Sequence, residues 1–127
     1  MAAKIKLRQL SGSYAVCKMD AKSSIPAWAE GEGFVTISRS EEELSIVCRA
    51  ERIPMEIQAA RGWQCFQFLG PFAFNETGIA LSVIRPVSES NVGIFLVSTF
   101  DTDYLLIQES DLEPAKDALL RAGHTFV

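Results

Sequence analysis

Two short stretches carry the residue types from which a small polar site is built. Thr77, Gly78 and Ile79 open an apolar stripe at helical spacing, Ala80, Val83, Ile84 and Val87. The first amides of a helix have no partner inside it, so they can hold an anion at the positive end of the helix dipole. Gly78 lets a ligand approach that backbone closely. Further on, Thr99 and Phe100 precede a turn at Asp101-Thr102, and Asp103 begins the strand that returns from it. Its carboxylate can hold a cation, with Thr99 and Phe100 lining the other side.

Each of these residues also has a purely structural account. Gly78 relieves crowding in a turn, Thr77 or Asn75 serves as an N-cap, and Asp101 and Asp103 suit a hairpin end through their own backbone hydrogen bonds. A paired-carboxylate acid–base site lacks a histidine, lysine or second activated group placed by sequence to complete it. The single histidine, His124, follows a helix end, where the dipole accounts for it, and no metal partners accompany it. The serines have no G-x-S-x-G context, and Gly70, Gly78 and Gly93 make no phosphate loop. No catalytic residue, metal site or cofactor is expected, and the chain reads as a binding protein and not an enzyme.

The elements that position these residues follow from periodicity. Lys4 to Leu10 alternates charged and apolar residues, Ser11-Gly12-Ser13 is a turn, and Tyr14 to Met19 is a second strand, so a hairpin is expected. Pro26 suits the start of a short helix over Ala27 to Ala29. Phe34 to Arg39 and Leu44 to Arg49 are strands joined by Ser40 to Glu43, and residues 51–61 are an irregular crossover. Trp63 to Leu69 is a strand by composition. The helix from Thr77 contains Pro86, which removes a backbone hydrogen bond and should kink or shorten its last turn. Val92 to Phe100 is so uniformly apolar that it reads as a central strand covered on both faces. Asp103 to Gln108 returns, Ser110 and Glu113 form a capping box for a helix ended by Gly123, and residues 124–127 add a short edge strand.

The order strand, helix, strand, strand, helix, strand is that of a ferredoxin-like unit. The fold class is therefore α+β: two ferredoxin-like units, residues 1–61 and 62–127, with antiparallel sheets, helices on one face and the first unit reduced. Composition agrees with a globular chain: 127 residues, 48% hydrophobic and 22% charged. Twelve basic residues against sixteen acidic ones give a net charge of −4 with no basic stripe, which disfavours nucleic acid. No apolar run approaches the length of a bilayer span and no secretory signal is legible, so no membrane partner and a cytoplasmic location are expected. Cys17, Cys48 and Cys65 each sit in an apolar segment and read as buried, reduced thiols.

The second half resembles the ACT domain, a regulatory amino-acid-binding module, in the branch containing aspartate kinase regulatory domains, arginine-sensing CASTOR proteins and small bacterial tandem-ACT proteins. The segments that carry the likeness are Phe74-Asn75-Glu76-Thr77-Gly78-Ile79, at a strand-to-helix turn, and Val97 to Ile107, VSTFDTDYLLI, at a hairpin. Glu43 to Cys48 resembles the corresponding strand of a first ACT unit. The resemblance implies an amino acid held where the strand-to-helix turn of one unit meets its neighbour, with Ser45 and Ile46 opposite. It implies a homodimer and a signal passed to a separate regulated protein. The alternative is a ligand-free ACT-like scaffold that acts through protein pairing.

Overall fold

The computed structural model describes residues 3–127; the first two, where the expected first unit begins, lie outside the described residues. The strands are β1 (Lys6–Gln9), β2 (Tyr14–Met19), β3 (Thr36–Arg39), β4 (Leu44–Arg49), β5 (Ala59–Phe68), β6 (Ile94–Ser98), β7 (Asp103–Gln108) and β8 (Thr125–Phe126), and the α-helices are α1 (Ile79–Glu89) and α2 (Leu112–Arg121). The chain forms two compact units. Residues 3–10 join Gln64–Val127 in the larger unit, and Ser11–Trp63 make the smaller.

The smaller unit is an antiparallel sheet in the order β3, β4, β2 and the first half of β5. Ala15, Cys17, Leu44, Ile46 and Cys48 alternate inward along β2 and β4 and form a core with Ala29 and Ile53. No α-helix covers this core among the described residues. The short helix expected after Pro26 is a single 3-10 turn, Ala27–Ala29. Arginines do the work that a helix ladder does elsewhere, satisfying loop carbonyls. Arg52 donates to the carbonyls of Trp28 at 3.1 Å and Glu32 at 2.9 Å. Arg61 donates to those of Ala50 and Ile53, each at 3.1 Å.

The larger unit has the sheet order β6, β7, second half of β5, β1, β8. The expected hairpin of the first two strands does not form. β1 pairs antiparallel with β5, Leu7 opposite Phe68, and parallel with β8. It thus stands between the first and last strands of the unit's own βαββαβ order. The reason is its apolar face: Ile5 and Leu7 continue the row made by Phe66, Phe68, Leu105 and Ile107, which packs under Val83 and Val87 of α1 and Ala115 and Leu119 of α2. Ala15 and Cys17 of β2 belong to the other core.

Four further expectations change. Among the described residues β6 pairs with β7 alone, at the sheet edge, and Ile94 to Val97 are half-buried, so the apolar run is not covered on both faces. The Ser110–Glu113 capping box is absent because a 3-10 turn, Glu109–Asp111, moves the helix start to Leu112, and no side chain caps it. Pro86 does not shorten α1, which runs to Glu89. The carbonyl it orphans, Ser82 O, is 2.7 Å from Nε2 of His124. His124 is accordingly buried at 2% exposure, and its role is not the dipole contact expected.

All three cysteines are free and buried. Burial pushes each thiol up, Cys65 from the usual 9.0 to about 12. A thiol raised on folding stabilises the fold fully below its unfolded value and loses that contribution as pH climbs toward the folded one. Denaturation midpoints should therefore fall between about pH 9 and pH 12. Iodoacetamide at pH 8 should label Cys65 only at the rate of unfolding, which mass spectrometry reads directly.

Candidate ligand-binding site

Five of the eight residues expected at the site line one cavity of the larger unit. Gly78 and Ile79 open α1, Thr99 and Phe100 sit at the tip of the β6–β7 hairpin, and Asp103 begins β7, around a space of about 360 Å³. That is the size of a small-molecule site. Thr77 is not among its lining residues. It lines a second cavity, of about 640 Å³, with Arg85 and Glu89. Ser45 and Ile46 belong to the smaller unit. Ser45 is half-buried between Lys18 and Ser38 of the flanking strands, and the Ile46 side chain is committed to that unit's core.

The helix start explains the anion-binding end. Neither Thr77 nor Asn75 caps α1; the N-cap is Gly78, at φ 79°, with no side-chain hydrogen bond. A Cβ on Gly78 meets nothing within 4 Å, so glycine is required by the left-handed backbone and not by lack of space. The first intrahelical bond is Ser82 N–H to Gly78 O, at 3.0 Å. The amides of Ile79, Ala80 and Leu81 come before it and have no helical acceptor. All three residues line the cavity.

The hairpin tip is held rigidly against the rest of the unit. The Thr99 N–H donates to Thr102 O at 2.7 Å, and the buried Thr102 hydroxyl donates to Phe68 O at 2.6 Å. The Phe72 N–H donates to Asp101 O at 2.9 Å, tying the strand-to-helix connection to the tip. Glu76 accepts from the Ala73 N–H at 2.7 Å, closing the turn before the helix. The Ser98 hydroxyl donates to Oδ1 of Asp103 at 2.5 Å. This side-chain contact, and not the backbone hydrogen bond expected of a hairpin aspartate, engages one carboxylate oxygen and orients the group.

The cavity has members the sequence reading did not name as ligand contacts. Glu76 and Asp101 join Asp103, so three carboxylates line it and no lysine, arginine or histidine does. Phe74 meets Phe100 edge to face, centroids 4.9 Å apart, with 77% and 78% of their surfaces exposed. Phe74 and Glu76 sit in an irregular turn without periodicity. Their signal in the sequence was their place in the Phe74–Ile79 segment that carries the family likeness.

An α+β unit with an uncapped, glycine-started helix facing a rigid acidic hairpin defines a class, and the chain belongs to the ACT domain family, whose model matches residues 58–121. A separate N-terminal-domain model matches residues 12–56. A crystal structure of a protein from Agobacterium tumefaciens is 54% identical, covers 99% of this chain and 94% of its own, and superposes at a TM-score of 0.95. Human CASTOR3P is 33% identical over 81 residues, 64% of this chain and 46% of its own length. The bovine cytosolic arginine sensor for mTORC1 subunit 1 is 42% identical over 45 residues, 35% of this chain and 14% of its own. The chain thus spans less than half the length of these two relatives. No helix among the described residues is long and apolar enough to cross a membrane.

Proposed function

We propose that the protein is an amino-acid sensor that acts by binding and not by turnover, and that its ligand is a free amino acid of net positive charge held in the 360 Å³ cavity. The observation that carries this reading is that Ile79, Ala80 and Leu81, whose amides have no helical acceptor, line one cavity with Asp103. The ligand's carboxylate binds the amides and its ammonium binds Asp103. Glu76 and Asp101 add negative charge with no basic lining residue to offset it, which favours a cationic side chain. The arginine sensor named among its relatives supports the same choice. Occupancy is passed on in the cytoplasm through a second copy of the chain or a separate regulated protein.

Heating the purified protein with each amino acid at several millimolar tests the reading. An affinity between about 1 mM and 1 μM is sufficient for sensing, and saturation at 100 times Kd adds about 2.7 kcal/mol of stability. Arginine and lysine should raise the melting temperature, and glutamate should leave it unchanged. No shift with any amino acid is the result expected of a ligand-free scaffold.

A further inference from the structure

His124 lines neither cavity at the start of α1, yet it holds that helix together. Pro86 has no N–H, so the Ser82 carbonyl four residues earlier lacks its intrahelical donor. Nε2 of His124, 2.7 Å from Ser82 O, supplies one. The tautomer follows from the other ring nitrogen: the Ile5 N–H donates to Nδ1 at 2.9 Å. A backbone amide can only donate, so Nδ1 carries no proton and Nε2 carries it. Ser82 in turn donates its own N–H to Gly78 O at 3.0 Å, the first bond of the helix. Bound on both sides, Ser82 anchors the turn that presents Ile79, Ala80 and Leu81 to the cavity.

We infer that His124 is a positioning residue for the ligand's carboxylate. The donor it lends to Ser82 fixes the first turn of α1 and with it the direction of the three orphan amides. This rests on the amino-acid reading of the cavity. It makes the proline and the histidine one device: the helix gives up its own donor at position 86 and takes one from residue 124, beyond α2, so the ligand-binding turn is set by the C-terminal end of the unit.

Two variants separate the two ring contacts. In His124→Asn the side-chain amide overlies Nδ1 and still accepts from the Ile5 N–H, but does not reach Ser82. In His124→Gln the amide nitrogen reaches the place of Nε2. The probes are L-arginine affinity by titration calorimetry and hydrogen exchange at the Ser82 amide, which needs no ligand. His124→Asn should bind L-arginine about tenfold more weakly and exchange at Ser82 about tenfold faster, the worth of one hydrogen bond. His124→Gln should stay near the wild type. Adding Pro86→Ala to His124→Asn should restore both values, because the N–H regained at position 86 bonds Ser82 O. Unchanged affinity or exchange in His124→Asn, or no rescue by Pro86→Ala, overturns the positioning role while leaving the site intact. Wild-type protein that binds no L-arginine overturns the amino-acid reading and this role with it.

Discussion

Replacing His124 by alanine is expected to lower the stability of the larger unit by about 3–5 kcal/mol, more than any single surface change. The side chain is buried at 2% exposure and has a polar partner on each side. Its loss leaves the Ile5 N–H and the Ser82 carbonyl without partners and opens a cavity between β1 and α1. An unsatisfied buried group costs about 1–3 kcal/mol, and the missing ring adds the cavity term. Both α-helices of the described residues lie in this unit, so circular dichroism at 222 nm during urea unfolding reports it selectively. In a Pro86→Ala background the same replacement should cost about 1 kcal/mol less, because the helix then satisfies Ser82 itself. Equal costs in the two backgrounds would show that the proline and the histidine are not coupled.

The second large effect is on binding. Asp103→Ala should weaken L-arginine binding by at least about 100-fold, near 2.8 kcal/mol, the loss expected for a charge-assisted contact. The fold should survive, because the carboxylate's partner among the described residues is the exposed Ser98 hydroxyl. A melting temperature within a few degrees of wild type is the control. Asp103→Asn keeps an acceptor for Ser98 and removes the charge; it should bind almost as poorly as Asp103→Ala. Full binding by Asp103→Asn would mean that the carboxylate only shapes the hairpin.

Much of the larger unit was legible because its helices and strands carry strong periods. Val83 and Val87 bury the face that their spacing assigned to them, whereas Gly78 serves a left-handed backbone and not the crowding its turn suggested. What was not legible depends on partners distant in sequence. Nothing local distinguishes a β1 that pairs with β2 from one that pairs with β5, since the choice is made by Phe66 and Phe68 some sixty residues on. The cost assigned to Pro86 was real, but its relief comes from a histidine that local sequence assigns to a helix dipole. At the candidate site, the helix start and hairpin were readable as turn chemistry. Phe74, Glu76 and Asp101 come together only through the Phe72–Asp101 bond and the Glu76 turn, which no pattern of spacing encodes.

The central claim is that the amides opening α1 and the carboxylate opening β7 hold one small zwitterion. Titrating ¹⁵N-labelled protein with L-arginine tests it residue by residue. The account predicts saturable shifts at Ile79, Ala80 and Leu81 together with Asp103, all with a single dissociation constant. Saturable shifts confined to residues around Arg85 and Glu89, or to the smaller unit, with Ile79 to Leu81 unmoved, would contradict it.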